Sequence, residues 1–502
     1  MPLLISKTNF LEFLQCPKNM WLRLHKPELC EKFTLSDFAL HLVEQGNEVE
    51  SCAHNLFPGG IEIASNKEHG AIETSRLMAS KIRYIFQATF IIDGFIARND
   101  VLAWDEANQV WDVYEVKGTN ALKEGSGADR DHISDVAFQV SVLKRSHVPL
   151  GKYHVIHLNK EYVRQGELDM KALFQIDDVT DQVNDMLPEF ETKMEGAKLY
   201  LSREEEPAGS CDCIYLGRAR HCTTFSHSNP EVPDYSVHDI SRIHAKKLNA
   251  LIDMGVFQIE DIPDDFELSE KQRNQIHVRG RKIPIIDKEA ITDELNKLSF
   301  PLYFFDYEAF GPAIPAFDNY RPYNWIPFQF SLHILRTPNG ELEHVEFLHE
   351  ELSDPSEKVA ALLQKHIDPK GTVIVWHKSF EGMVNKAIGV RLPQYAALFE
   401  QINAKLYDLE DIFTHQHYVH DDFKGRSSIK KVLPVLAPHL SYEKLDIKAG
   451  GQASDAWWKM VSAATSSEEK QKIAKDLKIY CGLDTYAMVV IWQHLVEQVG
   501  MY

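Results

Sequence analysis

No apolar run in this 502-residue chain is long and uniform enough to cross a bilayer, so a membrane-embedded protein is not expected. The opening MPLLISKTNFLEF lacks a basic n-region and a small-residue cleavage site; no signal peptide is read there, and a cytoplasmic location is expected. Cysteine is scarce. Seven residues, an odd number, argue for reduced thiols or metal ligands rather than a disulfide framework. No Walker A loop and no dinucleotide fingerprint occur, which leaves NTPase or helicase activity without support. Repeats of solenoid length and low-complexity tracts are missing too. Positive charge is in deficit: the formal net charge of −20 argues against a general nucleic-acid coat, because phosphate binding rests on Lys and Arg. A local basic groove can still coexist with an acidic remainder, and metal-binding carboxylates themselves add negative charge.

What is present is an ordinary globular composition, 44% apolar and 25% charged, over a length that exceeds one hydrophobic core. From Ile5 to about His25 the pattern is helical, with Ser6 and Thr8 as candidate caps. The stretch from Phe86 to Lys117 reads as strands broken by a polar turn at Asp105–Gln109, and helical periodicity follows around Asp131–Lys144. Ser202–Pro233 reads as irregular, and Ile240–Val278 as short helices around a turn at Gly255, resembling a helix-hairpin element. A second α/β pattern begins at Phe300, with LYFFDYEAF, FQFSLHIL, LEHVEFLHE and TVIVWH as strands and helices to the end. Boundaries near 230 and 297 give an N-terminal domain over 1–230, a short helical connector over 231–296 and a C-terminal α/β domain over 297–502.

In WDVYEVKG, strand alternation puts Glu115 and Lys117 on one face, and Asp100 lies on the preceding strand across a turn that can fold the two into a hairpin. Gln139 falls on a helix that can lie over those strands. Two hard carboxylates with open coordination positions suit Mg2+ or Mn2+. A neighbouring lysine can orient the attacking water or stabilise charge developing on phosphorus. Glu-x-Lys by itself is also what a solvated strand edge looks like.

Cys16 sits in QCPKNMWL, while Cys211, Cys213 and Cys222 cluster far downstream in polar, irregular sequence that does not call for buried thiols. Four thiolates can hold either a structural Zn2+ or a [4Fe–4S] cluster. Cys30, Cys52 and Cys481 read as small apolar residues.

Asp306 and Glu308 end the apolar strand LYFFDYE at i and i+2 and so face the same way; buried together, they need compensation, and a pair of divalent ions supplies it. Glu381 lies in the first turn of a helix after a strand, and Tyr480 and Asp484 share a helical face. Asp306, Glu308, Glu381 and Asp484 can therefore serve two metals, with Tyr480 orienting a nucleophilic water. Each piece has a plainer alternative. Glu381 can simply favour a helix N-terminus capped by Ser379, and Tyr480 with Asp484 can be a satisfied hydrogen-bonded pair. Ser428-Ile429-Lys430 opens a helix that can hold a substrate phosphate or merely be capped, and Asp408 reads as a supporting residue.

The order Asp100, Glu115-x-Lys117, Gln139 resembles the PD-(D/E)XK nucleases of the RecB-like class. One cysteine in the first helix with three after the core resembles the iron–sulfur staple of that class, although Cys211-x-Cys213 is tighter than the pattern. The order Asp306-x-Glu308, Glu381, Tyr480-x-x-x-Asp484 resembles the tyrosine variant of the DEDD exonucleases of the ribonuclease H-like fold, with Glu381 where that pattern has Asp. Through FFDYE, GRSSIKKVLP and YCGLDTYAM almost the whole chain resembles a bacterial family, carrying a domain-of-unknown-function label, that fuses the two. The resemblance implies a restriction-endonuclease-like N-terminal domain and a ribonuclease H-like C-terminal domain. It implies a metal-dependent nuclease with Mg2+ or Mn2+ at both acid sites, a [4Fe–4S] cluster on the cysteines, and ends of single-stranded DNA or RNA as partner. The C-terminal site would work 3′→5′; the N-terminal one, endo- or exonucleolytically. Two alternatives stay open: one half binds nucleic acid while the other cuts, or the chain is a non-catalytic scaffold whose cysteines hold structural zinc.

Overall fold

Residues 1–230 together with 312–324 form one unit, and residues 231–311 with 325–502 form a second. The computed structural model describes residues 3–30, 37–65, 67–123 and 131–501, with the backbone alone for 37–42. In chain order the first unit carries β1 (Ile5–Ser6), α1 (Lys7–Gln15), α2 (Pro17–His25), α3 (Asp37–Ala53), β2 (Ile61–Glu62), α4 (Lys67–Ala79), β3 (Tyr84–Ile92), β4 (Phe95–Asp105) and β5 (Val110–Lys117). Then come α5 (His132–Arg145), β6 (Leu150–Leu158), α6 (Met170–Leu173), β7 (Phe174–Asp178), α7 (Thr180–Leu201) and α8 (Phe225–Ser228).

The expected helix from Ile5 to His25 is two helices. Proline at position 17 starts a new helix, and Cys16 between them is extended, with its backbone N–H returned to Glu12 and its Sγ accepting from Asn19 N–H. Ser6 caps α1 as expected. Aromatic and β-branched residues from 84 to 117 build an antiparallel meander, with the polar 105–109 turn joining β4 to β5. Beyond it β6 adds parallel to β5, and α5 provides the crossover such a connection requires. The sheet order is β2-β3-β4-β5-β6-β7, and β1 lies against the beginning of β4, in the row that β5 occupies farther along. Helices α1, α5 and α7 cover one face through Phe10, Phe138, Phe190 and Met194.

The second unit carries α9 (Ala245–Asp253), α10 (Glu270–Arg281), β8 (Ile285–Ile286), α11 (Lys288–Leu295), β9 (Leu302–Phe310), β10 (Ile326–Leu335), β11 (Leu342–Leu348), α12 (Ser356–His366), β12 (Thr372–Val375) and α13 (Lys378–Arg391). It continues with α14 (Ala396–Ala404), β13 (Leu406–Asp408), α15 (Asp411–Thr414), β14 (Tyr418–Val419), α16 (Ile429–Leu436), α17 (Gly450–Val461) and α18 (Ser467–Val499). The main sheet runs β11-β10-β9-β12-β13, antiparallel across β11, β10 and β9 and parallel across β9, β12 and β13. Central β9 is apolar on both faces because helices cover both. Tyr303, Phe305 and Tyr307 enter the core under α12, α13 and α14. Phe304 and Phe310 meet Trp492 and Trp457 of α18 and α17 on the other face. Asp306 and Glu308 belong to that second face by strand alternation, so the packing that buries Phe304 also buries two acids.

Two boundaries differ from the sequence reading. The stretch 231–296 is no free-standing connector: β8 pairs with β14, and Asn274 and Lys271 of α10 bond Gln416 and the Thr414 carbonyl, which ties it into the second unit. Residues 312–324, assigned to the C-terminal domain, belong to the first unit. There Ala313 and Ile314 are buried, Arg164 donates to the carbonyls of Pro315 and Ala316, and Tyr323 donates to Gly118. Loop sequence gives no periodic signal of where it packs. Among the described residues no helix is long and apolar enough to cross a membrane.

Candidate functional site

In the first unit the β4–β5 register sets Val101 opposite Tyr114, which brings Asp100 beside Glu115; Asp100 accepts the Val116 N–H at 2.8 Å. Glu115 is 2% exposed and fully engaged: Oε1 takes Lys7 Nζ at 2.5 Å and Lys117 Nζ at 2.7 Å, and Oε2 takes Gln139 Nε2 at 2.5 Å. Lys117 also binds Asp135, whose other oxygen is buried with no hydrogen-bond partner among the described residues. All four residues chosen from sequence, Asp100, Glu115, Lys117 and Gln139, therefore meet. Lys7 and Asp135 were missed. Lys7 arrives because β1 occupies the row that β5 takes over, a long-range pairing with no sequence trace; Asp135 lies one helical turn before Gln139 and could have been found by periodicity.

The electrostatics of this cluster are close to balanced. Burial works to raise the Glu115 carboxyl, but Lys117 and Lys7 outweigh it and hold the group well below the usual carboxylate range. Burial would lower the Lys117 ammonium, yet Glu115 and Asp135 push it above its ordinary value. Asp100 goes the other way: burial, then the charge of Glu115, pushes it up.

In the same unit the Sγ atoms of Cys16, Cys211, Cys213 and Cys222 all lie within 4.8 Å of one another, so the four cysteines chosen from sequence converge. Sharing hydrogen bonds with one another pushes the Cys16 and Cys213 thiols up and the Cys211 and Cys222 thiols down. Four sulfurs in mutual contact form a donor set that a soft metal would bind as thiolates.

In the second unit β9, α13 and α18 bring Asp306, Glu308, Glu381 and Asp484 together. The metal-ligating atoms of Asp306, Glu308 and Cys481 lie within 4.8 Å of one another. Asp306 and Glu381 share a hydrogen bond, and Asp306 and Glu308 both feel the charge of Asp484. Glu308, Glu381 and Asp484 are 6%, 1% and 8% exposed. Burial first, then mutual repulsion, pushes Asp306 and Glu308 well above the carboxylate range. Glu381 is pushed up to about 8 and Asp484 to about 6, burial being the main cause in each. Glu381 Oε2 is buried without a hydrogen-bond partner among the described residues. Buried acids that cannot all ionise, one of them with an orphaned oxygen, fit divalent cations.

Local structure explains how Glu381 turns inward. Ser379 is not its helix cap; α13 begins one residue earlier, after His377, which takes the left-handed conformation at φ 76°. The N–H groups of His377 and Lys378 are satisfied by the Asp408 carboxylate at 3.0 and 2.8 Å, which substitutes for a side-chain cap and gives Asp408 its supporting role. On α18, Asp484 accepts from Tyr442 at 2.6 Å and also from Tyr480. Lys430 Nζ bonds the Lys448 carbonyl at 2.6 Å and lies 3.4 Å from the Tyr480 hydroxyl, over the rings of Tyr442 and Tyr480. Its charge reaches Glu308 and Asp484. Sequence reasoning missed Tyr442 and Gly450. A Cβ on Gly450 would stand 3.7 Å from Glu308 Oε2, so α17 begins beside the acids. It also set Cys481 aside as core, although one step from Tyr480 it meets the same site.

The family model "Domain of unknown function (DUF2779)" matches residues 303–428, which carry Asp306, Glu308, Glu381 and Asp408. "Uncharacterized protein UU173" of Ureaplasma parvum serovar 3 is 27% identical over 40% of this chain and 32% of its own length. "Uncharacterized protein MG366 homolog" of Mycoplasma pneumoniae is 27% identical over 39% of this chain and 32% of its own. The chain thus spans about a third of the curated relatives it matches. No solved structure matches it significantly.

Proposed function

We propose that the chain is a metal-dependent phosphodiester hydrolase whose principal catalytic site is the acid cluster of the second unit. One observation carries this reading: Asp306 and Glu308, Glu381 and Asp484, drawn from three distant stretches of sequence, converge in a buried cluster with no cation bonded directly to them among the described residues. Divalent ions, when bound, supply charge neutralisation of the scissile phosphate and a more acidic water. The chain's own residues do the positioning. Tyr480 and Tyr442 hold Asp484, Asp408 fixes the turn that aims Glu381, and Lys430 offers a cation at the rim for a substrate phosphate. The strand order β11-β10-β9-β12-β13 supports the likeness to ribonuclease H-like DEDD exonucleases, and hence 3′→5′ removal of nucleotides from DNA or RNA ends.

The first unit is read as a PD-(D/E)XK site in which Asp100 and Glu115 would hold Mg2+ or Mn2+. Lys7 stands on Glu115 there and must swing aside for a cation to bind. End-labelled single strands of DNA and RNA, incubated with Mn2+, test both sites. Asp306→Ala is expected to abolish stepwise loss from the 3′ end, and Glu115→Ala to leave it intact. Full stepwise degradation by the Asp306→Ala protein would end the reading.

A further inference from the structure

Cys211 Sγ and Cys222 Sγ are 3.8 Å apart, and no pair among the four thiols of the first unit is separated by more than 4.8 Å. A tetrahedron of four Zn–S bonds of about 2.3 Å has sulfur–sulfur edges of about 3.8 Å. An iron–sulfur cubane makes a different demand. Each thiolate there binds its own iron, and the irons and bridging sulfides must fit between the thiolates. Sulfurs as close as these leave no interior for those atoms.

We propose that Cys16, Cys211, Cys213 and Cys222 hold a single tetrahedral Zn2+ and not the [4Fe–4S] cluster that the resemblance implies. The inference rests on the reading that these thiolates bind a metal. Their surroundings fit a closed, structural site. Cys16, Cys211 and Cys213 are each 3% exposed, and four thiolates complete a tetrahedron, leaving no position for a water or substrate. Asn229 Nδ2 donates to Cys211 Sγ at 3.3 Å and Asn19 N–H to Cys16 Sγ at 3.4 Å. Such donors fix the sulfurs and disperse their charge. Asn19 in turn accepts from Thr224, so the same turn of α2 that presents Cys16 grips the chain just after Cys222. Cys211 and Cys213 flank the start of a single 3-10 turn, which suits two ligands on one ion better than two corners of a cluster. The ion would staple α1 and α2 to the segment after α7, and its binding energy would be folding energy for the unit.

Metal analysis and X-ray absorption on the full chain, purified without oxygen, test this. One zinc per chain is expected to survive gel filtration in metal-free buffer, in a colourless preparation. The zinc edge should show a sulfur shell without metal–metal scattering, and cobalt loading should give the charge-transfer bands of a tetrahedral thiolate site. Cys213→Ser and Cys222→Ser should lose the zinc, while Cys52→Ser and Asp306→Asn keep it. If the cysteine variants do not fold, the zinc-edge spectrum of the unaltered chain decides. Iron with acid-labile sulfide and broad visible absorption would overturn zinc while leaving a metal site. A chain that retains no metal would overturn the metal reading of the thiols itself. Neither result depends on nuclease activity.

Discussion

Glu115 in the first unit is met by Lys7, Lys117 and Gln139, whereas Glu381 in the second keeps a buried oxygen with no hydrogen-bond partner among the described residues. Both clusters are buried acids on a central sheet. They differ in how compensation is supplied: in the first, lysines bond the acid directly, and in the second the charge of Lys430 reaches Glu308 and Asp484 without an ion pair, leaving a deficit that the proposed cations would fill. A site that is already neutral gains little from a metal and must give up an ion pair to take one. A site of unsatisfied carboxylates is costly to fold empty and correspondingly ready to bind.

Activity gives the sharpest test of that contrast. On the proposed reading, Asp306→Asn is expected to cut Mn2+-dependent 3′ degradation by roughly a thousandfold or more, since it would remove a metal-holding carboxylate. In stability without metal the order should invert. In EDTA, Glu115→Ala strands Lys7 and leaves Lys117 with Asp135 alone, and should destabilise the first unit by about 2 kcal/mol, a figure lowered from the usual range for buried pairs because both lysines are partly exposed. Asp306→Asn relieves repulsion and should leave the metal-free second unit as stable or more so. Urea unfolding followed in both variants reads this directly. Equal losses in the two would erase the distinction.

Much of this was legible in the sequence, and the reason is geometric. Residues separated by one strand period or one helical turn, such as Glu115 with Lys117, Asp306 with Glu308, and Tyr480 with Asp484, carry their proximity in their spacing. What escaped is what long-range packing decides. Lys7 reaches Glu115 because a two-residue strand lies against β4, and Tyr442 reaches Asp484 from an irregular loop. The loop 312–324 joins the other unit through a handful of contacts without periodicity. Ser379 misled because its position suited a cap, whereas Asp408, distant in sequence, already satisfied the helix start.

Proton linkage should separate the clusters next. In the second unit the folded carboxyls have raised values, about 8 for Glu381 and about 6 for Asp484, so the folded state holds more protons than the unfolded one between ordinary carboxylate values and pH 8. Metal-free stability of that unit should fall as pH rises through this window. Glu115 is depressed, so its contribution to the first unit is present above the ordinary carboxylate range and is lost as pH falls below it. Urea midpoints in EDTA are expected to fall for the second unit as pH rises from 5 to 8, whereas the first unit loses the Glu115 contribution only at the acid end, where the raised Asp100 opposes it. Saturating Mn2+ should flatten the slope of the second, because the cation takes the place of the protons.

The smallest effect expected is at Lys430, and it separates a binding cation from a structural one. Its ammonium is held by the Lys448 carbonyl and the Tyr480 hydroxyl, over two tyrosine rings, and is itself exposed. If it contacts a substrate phosphate, Lys430→Gln removes about one counterion's worth of salt dependence, a change of about 0.7 in the slope of log affinity against log salt for a single strand. KM should rise a few fold with kcat nearly constant, because the contact is made alike in ground and transition states. Tyr480→Phe should do the reverse, lowering kcat about tenfold or more with little change in KM, since Tyr480 bonds Asp484 and, on the proposed reading, would orient the attacking water. A Lys430→Gln protein with lowered kcat and an unaltered salt slope would place the lysine among the supports of the two tyrosines, and the rim of the acid site would then lack its phosphate contact.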